Sequence, residues 1–354
     1  MNKKLLIAAV GTALTVAGPA VYAIEGKVSG QVNRAIMMAD DGVNSETHYV
    51  DNNNSGSRFR FTGSADMLPG VKAGITYEVE FLSNSSSAVT NTLTGRSTTG
   101  SFTDRVMEVY FQGAFGQLSL GQGLGAADGG VEVDLSGTSV INWSTGSLIG
   151  GALTFNSAGV ATAKTVSGVI NSQDFESRYD RLRYDTPMFG PVNASISKGV
   201  TTNGNVKEAA VRLNSDLGGA GKLAGAVGIS KEDTTDPDFD NKTTGGSLSW
   251  LAPFGLNVTV ATTSQTLTTT RKGKFQYLKV GYKVSAEHAV SVDFAAGDDQ
   301  NAADDEAKQT GIGYVFSPKP WADLYAGYKI YSLDRPGTTY DDIKILSVGS
   351  RLKF

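Results

Sequence analysis

The feature that most restricts the fold of this chain is a period-two alternation of apolar and polar residues, repeated in segments of about ten. Residues 57–63 read Ser-Arg-Phe-Arg-Phe-Thr-Gly, with Phe59 and Phe61 opposed to Arg58 and Arg60. After Ala-Asp-Met-Leu-Pro-Gly at 65–70, Val71, Ala73, Ile75, Tyr77, Val79 and Phe81 take one face, and Lys72, Thr76, Glu78 and Glu80 the other. Residues 25–37 alternate in the same way. Ile24, Val28, Val32 and Ile36 share a face that only Arg34 interrupts, which places Arg34 near a membrane boundary or at a bulge. Strands with one apolar and one wet face give this pattern. Segments near 78–81, 223–229, 278–284, 290–294, 312–316, 324–330 and 346–354 continue it, and a polar loop is expected over 38–56.

Two kinds of connection separate the segments. Short ones fall at 113–116, 186–190, 216–221, 252–255, 285–288 and 317–320. Longer polar ones fall at 82–104, 123–177, 231–243, 266–273, 298–307 and 333–341, with a brief one at 201–205. Long and short alternate, so one end of the sheet carries tight turns and the other carries loops. Aromatic residues gather at both boundaries: Phe115, Phe189, Trp250, Phe254, Phe316 and Trp321 beside short turns, Tyr77, Phe81, Tyr328 and Tyr331 toward long loops. The expected fold is all-β, a transmembrane antiparallel up-and-down barrel of about sixteen strands, with short periplasmic turns and long external loops. A barrel of about that size encloses an aqueous channel.

Composition agrees. The chain has no cysteine, so disulfides do not staple it, and its forty-three glycines suit many turns. Lys3 and Lys4, an apolar run from Leu5 to about Ala17 and the small residues before Ile24 form a secretory signal over residues 1–23, leaving a single domain over 24–354. Losing those two lysines makes the formal net charge of −4 more negative by two. No later apolar run is long enough for a spanning helix.

The stretch 123–177 is too long for an ordinary loop. It carries Asp128, Glu132 and Asp134, and is expected to fold into the barrel mouth, its acidic part inward and 150–170 covering the mouth. Wall cations opposite it are Arg58, Arg60, Lys72, Arg105, Arg178, Arg181 and Arg183. Alternation points Arg58, Arg60, Arg181 and Arg183 into the lumen, where a charge is tolerated; facing lipid at mid-depth it would cost about 2–4 kcal/mol. Carboxylates set against arginines make a transverse field of the kind that sorts ions.

Other signals are weaker. Gly121-Gln-Gly-Leu-Gly125 has no helix after it and is not a phosphate loop. The acidic run 298–306 could bind a divalent cation such as calcium, though a solvated surface loop is the better explanation of it. No cofactor is otherwise expected. His48 and His288 stand apart, with no cysteine, so neither a triad nor a zinc site forms and an enzyme is not expected.

Several motifs together resemble the Gram-negative general porins of the proteobacterial type over essentially the whole mature chain. These are Arg-Phe-Arg-Phe-Thr-Gly-Ser at 58–64, Asp104-Arg105 through Phe-Gly-Gln-Leu-Ser-Leu-Gly-Gln at 115–122, Arg-Leu-Arg-Tyr-Asp-Thr-Pro-Met-Phe-Gly at 181–190, and the final Phe354. The resemblance implies a homotrimer in the outer membrane of a Gram-negative bacterium, a third loop folded into each pore, and passive diffusion of ions and small hydrophilic solutes. It implies outer-membrane lipids, lipopolysaccharide and the barrel assembly machinery as partners, with Phe354 an assembly signal and no role for nucleic acid. Where many members carry arginine after Leu-x-Leu-Gly this chain has Gln122, removing one wall charge and tilting preference toward cations. Inward arginines argue for anions. The alternatives are a substrate-specific porin for phosphate or an organic acid, and a structural or adhesive barrel built on the loops 82–104 and 231–243.

Overall fold

The computed structural model describes residues 24–92, 95–96, 100–233 and 240–354, so the signal segment 1–23 and parts of the loops 82–104 and 231–243 lie outside the described residues. In chain order the strands are β1 (Glu25–Asp40), β2 (Ser45–Asp51), β3 (Arg58–Leu68), β4 (Val71–Leu82), β5 (Ser101–Gly113) and β6 (Gly116–Leu124). After a hairpin of β7 (Thr154–Ser157) and β8 (Val160–Thr165) come β9 (Arg178–Asp185), β10 (Val192–Val200), β11 (Asn205–Asp216), β12 (Lys222–Asp233) and β13 (Asp240–Leu251). The chain ends with β14 (Leu256–Thr266), β15 (Lys272–Lys283), β16 (His288–Asp298), β17 (Glu306–Lys319), β18 (Ala322–Asp334) and β19 (Ile343–Lys353).

All but β7 and β8 join one sheet of 17 strands, each pairing antiparallel with its neighbours. β1 pairs with β19 from Gln31↔Lys353 to Asp40↔Lys344, which closes the sheet on itself. β2 and β3 both run along β1, β2 against Arg34–Asp40 and β3 against Glu25–Gln31, so together they form one stave and the barrel has sixteen. Closure leaves no open edge, which hydrocarbon would penalise by several kcal/mol per unpaired backbone group.

The alternation holds around the wall. Val28, Val32 and Ile36, Val227 and Ile229, Leu278 and Val280, and Leu346, Val348 and Leu352 are all exposed on the outside. Asn33, Ser119, Ser195, Ser249, Asn257 and Ser291 are buried on the inside. Phe115, Phe189, Phe254 and Trp321 are exposed beside short turns, as a membrane boundary favours. Tyr331 departs from its expected place near that boundary. It stands one position out of phase with Tyr328, faces inward, is fully buried, and donates to Gly146 O at 2.8 Å.

The polar loop expected over 38–56 is mostly strand. Met37 and Ala39 keep the inward phase and are buried, and a turn of four residues leads into β2. The real irregularity is 52–57, a short 3-10 turn that interrupts the stave. Arg34 stands in register with Asp51 at the edge of that break and pairs with it at 2.6 Å, so its exception to the apolar face marks the interrupted stave.

Residues 125–177 lie inside the barrel against one side of its wall and build a hydrophobic core together with inward side chains of the strands. Val140, Ile141, Ile149, Leu153, Phe155, Val166 and Ile170 pack with Met37, Val50, Phe275, Tyr277, Tyr331 and Ile345 of the strands. Part 150–166 runs beside the outer ends of the strands. Asn156 Nδ2 donates to Asp41 O, and Asp341 N donates to Asn156 O, both at 2.9 Å. Glycine lets the loop lie close to the wall: a Cβ at Gly327 would stand 2.4 Å from Ile141 Cγ1. Gly327→Val is therefore expected to overpack this contact by about 1–3 kcal/mol, lowering the temperature at which the folded barrel is lost on a gel. Adding Ile141→Ala should restore part of it, and no restoration would place the strain elsewhere.

Candidate functional site

Cross-strand register gathers the first group of charges. Arg58 stands opposite Glu80, and Arg60 opposite Glu78. A register shift at Glu78/Val79 between β4 and β5 brings Arg105 to the same place. Glu78, 2 % exposed, accepts from Arg105 Nε at 2.8 Å and Arg60 Nε at 2.6 Å, with Arg58 Nη1 at 3.6 Å; Glu80 takes Arg105 Nη1 at 3.0 Å. Three guanidinium groups thus converge on two carboxylates. Arg178, at the start of β9, lies within Coulomb range of Arg58 and Arg105, donates Nη1 to Ser177 Oγ at 3.1 Å, and its Nε has no partner.

A second group of arginines holds backbone. Arg181, only 3 % exposed, donates Nε to Leu124 O at 2.9 Å and Nη1 to Gly121 O at 3.1 Å, while Nη2 reaches Glu108 at 2.5 Å. Arg183 binds Asp185 and donates to Gly125 O at 2.7 Å. Arg212 donates to Ala126 O and Asp128 O, both at 2.8 Å. These three side chains satisfy the carbonyls where the loop leaves the wall, and so fix its path into the lumen.

The two ends of the loop are then tied together. Asp174 accepts from Gly129 N at 2.7 Å and Val131 N at 3.1 Å. Glu208, from β11, accepts from Ala127 N at 3.2 Å and Glu176 N at 3.0 Å. This brings Asp128, Glu132 and Asp174 into one acidic edge, with Glu176 close by. Arg178 is the strongest attractive charge acting on Asp128, and Arg178 and Arg105 act on Glu132. Burial raises the carboxyls of Asp128 and Glu132, and for Glu132 the neighbouring charges of Asp174 and Asp128 push the same way. Asp174 is lifted to about 7, first by burial and then by Asp128. Glu176 also rises to about 7, by burial and then by Glu232 and Glu208.

Three expected site residues stand elsewhere. Asp134 does not face the lumen: its carboxylate is 4 % exposed and pairs with Lys279 Nζ of β15 at 2.7 Å. It is a loop anchor, because the alternation that turns Leu278 and Val280 outward turns Lys279 in beneath the loop. Lys72 lies at the short-turn end, exposed, 3.2 Å from Asp66. Gln122 is not a lumen residue, since it shares a phase with the outward Leu118, Leu120 and Leu124 and donates to Asp104 O at 3.0 Å. Position 122 therefore says nothing about charge in the pore.

Among the described residues no group of three or more His, Cys, Asp or Glu is placed to hold a metal ion. In the acidic loop Asp305 is engaged by Arg335 and by Ala302 N at 3.0 Å. Residues that contribute without being singled out from sequence are Asp174, Glu176, Glu208, Arg212, Glu78 and Lys279. The last two were readable, as inward charges on alternating strands. Asp174 and Glu176 have no periodic signal around them.

Comparison with known proteins agrees with this geometry. A family model described as Gram-negative porin matches residues 6–335. Searching curated protein sequences gave no match. Among solved structures, an anion-selective porin from Comamonas acidovorans superimposes with a TM-score of 0.66 at 19% identity, covering 94% of this chain and 100% of that one. OmpF of Salmonella typhi, in complex with daunomycin, gives 0.62 at 11% identity, covering 94% and 98%. The trimer form of OmpT from Vibrio cholerae gives 0.58 at 13% identity, covering 94% and 100%. At these identities the structures speak for the fold, and the family match carries the assignment: the chain belongs to the Gram-negative porin family.

Proposed function

We propose that this passive outer-membrane channel, open to ions and small hydrophilic solutes, discriminates at a constriction between the arginines Arg58, Arg105 and Arg178 and the loop edge of Asp128, Glu132 and Asp174. The observation that carries the reading is the convergence of three wall arginines on Glu78 and Glu80, with Arg178 beside them and the acidic edge in Coulomb range. Opposed charges across a narrow, partly desolvated section make a transverse field that orients dipolar solutes and biases counter-ion entry.

The same geometry favours anions. Asp134 is neutralised by Lys279, burial disfavours the charged forms of Asp128 and Glu132, and Asp174, lifted to about 7, is partly protonated near neutral pH, so the arginines dominate the field. The fold shared with a porin named anion-selective accords with this. Assembly as a homotrimer draws support from the trimer form of the Vibrio cholerae relative. Export through a cleaved signal at 1–23 follows from the sequence. Phe354, whose N and O pair with Gly30 and whose ring covers it, is proposed as a recognition element for the assembly machinery.

Purified protein in planar bilayers is expected to give conductance steps in threes, and a barrel that does not conduct would sink the channel reading. Neutralising Arg58, Arg105 and Arg178 together should move the zero-current potential in a salt gradient toward cations. Asp134→Asn should leave that potential near wild type while destabilising the barrel by about 3–5 kcal/mol, because it strands a buried Lys279. A large potential shift in Asp134→Asn would put that carboxylate back in the field.

The raised carboxyls set the sign of a pH response. Above pH 7 Asp174 and Glu176 are ionised and offset the arginines; as pH falls through about 7 they take up protons. Anion preference should therefore grow on acidification from pH 8 to 6, read as zero-current potential against pH. Asp174→Asn should flatten that slope. A preference that moved toward cations would overturn this reading of the edge.

A further inference from the structure

Where the last part of the loop 125–177 meets the external ends of β14 to β16, the lumen has a side pocket of about 390 Å³. Ser167, Asn171, Gln173 and Asp174 line it from the loop, Gln265 from β14, and Gln300 from just beyond β16. Among the described residues Asp174 is the one charged group of that lining. Gly273, the cross-strand partner of Gln265, makes room for the loop here: a Cβ on it would stand 2.4 Å from Gln173 Nε2. Asp174 also belongs to the acidic edge, so the pocket opens beside the constriction on its external side.

Some of these side chains hold the frame. Gln300 accepts from Asn171 N at 2.7 Å and donates to Asn171 O and Lys274 O, both at 2.9 Å, tying the loop to β15. Asn171 Oδ1 accepts from Gln173 N at 2.8 Å, and Gln173 takes a φ of 53°, a left-handed conformation uncommon outside glycine. Gln173 is 7 % exposed, and its Oε1 takes a long contact from Thr263 Oγ1 at 3.4 Å. Other polar groups are left over. Among the described residues the Gln265 amide, Asn171 Nδ2, Gln173 Nε2 and the Ser167 hydroxyl make no hydrogen bond. A buried amide with an idle donor calls for a partner from outside the chain.

We propose that this pocket binds a neutral polyhydroxylated solute of one or two sugar rings, held just outside the constriction. The proposal rests on the channel reading above and names a solute class for its external vestibule. Idle amides and a hydroxyl present donors and acceptors side by side, which neighbouring hydroxyls of a sugar can pair with. Each Asp174 oxygen accepts one backbone N–H and keeps a lone pair for a further hydroxyl. Phe175 and Leu267 give the pocket an apolar side for the C–H face of a ring. Charge argues against an anion. Lys164 Nζ and Arg271 Nη1 both turn to Asn301, and no cation is among the described lining residues. Size argues against a bare ion, because 390 Å³ is the share of about a dozen waters.

The test titrates maltose into the full chain in detergent, read by saturation-transfer NMR. Polyethylene glycol of matched size, succinate and arginine are the competitors. Maltose is expected to bind in the millimolar range, and none of the three to displace it. Over the same range maltose should interrupt the single-channel current in planar bilayers. Gln265→Leu and Ser167→Ala remove groups that hold nothing within the protein, and each should weaken maltose about fivefold. Leu267→Trp, which fills the pocket, should abolish binding. Conductance in salt alone should match wild type in all three variants, showing that the barrel is folded. Arginine that displaces maltose would make this a cation site, and maltose binding unchanged in Gln265→Leu and Leu267→Trp would put the sugar elsewhere; either overturns the proposal. A wild type that conducts but binds no maltose removes the pocket site and leaves the channel standing. One that binds maltose through Gln265 without conducting supports the site and removes the channel reading.

Discussion

In hydrocarbon a backbone amide has no water to fall back on, and the architecture of this chain follows from that. Pairing of β1 with β19 over ten residue pairs, from Gln31↔Lys353 to Asp40↔Lys344, leaves no strand edge. Closure in turn dictates alternation, because each strand must show lipid on one side and lumen on the other. It also explains how the stave broken at 52–57 is tolerated. Asn33 N finds Ser57 Oγ at 3.0 Å, and Asn52 N finds Asn33 O at 3.4 Å, so the interrupted ladder is still largely satisfied.

A sixteen-stave barrel has a wet interior and no core of its own. The loop 125–177 supplies one. Its apolar residues cover Phe275, Tyr277 and Tyr331, aromatic side chains that would otherwise face the lumen water. Burying the loop encloses charge as well: Lys279 is wholly buried and held by Asp134 and by Asn142 O at 2.5 Å. Lys329, 3.6 Å from Asp293, has no hydrogen-bond partner in the described structure. Breaking a buried pair of this kind is costly even where forming it stabilises little. The Lys279–Asp134 pair therefore fixes where the loop docks more than it adds to stability.

Much of this was legible in the sequence, for a specific reason. Period-two alternation is a local property, so the strands, their facing and the inward arginines of β3 and β9 could be read residue by residue. The long stretch after residue 122 could be recognised as the inward loop by its length. What could not be read was the partner of each charge. Asp134 and Asp128 look alike six residues apart, yet one meets Lys279, 145 residues later, and the other faces Arg178. Gln122 was misplaced by analogy, although its own alternation with Leu118 and Leu120 already turned it outward. Over 38–56 the polar side chains read as loop because they hide an inward phase carried by Met37, Ala39 and Val50.

The arginines show why counting charges in a pore is a poor guide to its field. Arg181, Arg183 and Arg212 are spent on the carbonyls of the loop entrance and on Glu108 and Asp185, where carboxylates nearly balance them. Arg58, Arg60 and Arg105 crowd two carboxylates, and Arg178 adds a further charge with an unpartnered Nε. The surplus is therefore local, on β3, β5 and the start of β9, and it faces the one edge of the loop whose carboxyls are hardest to ionise. A chain with negative net charge can therefore hold a local cationic surplus in its lumen, because the net charge also counts acids such as Asp304 and Glu306, exposed at the external end and screened by salt.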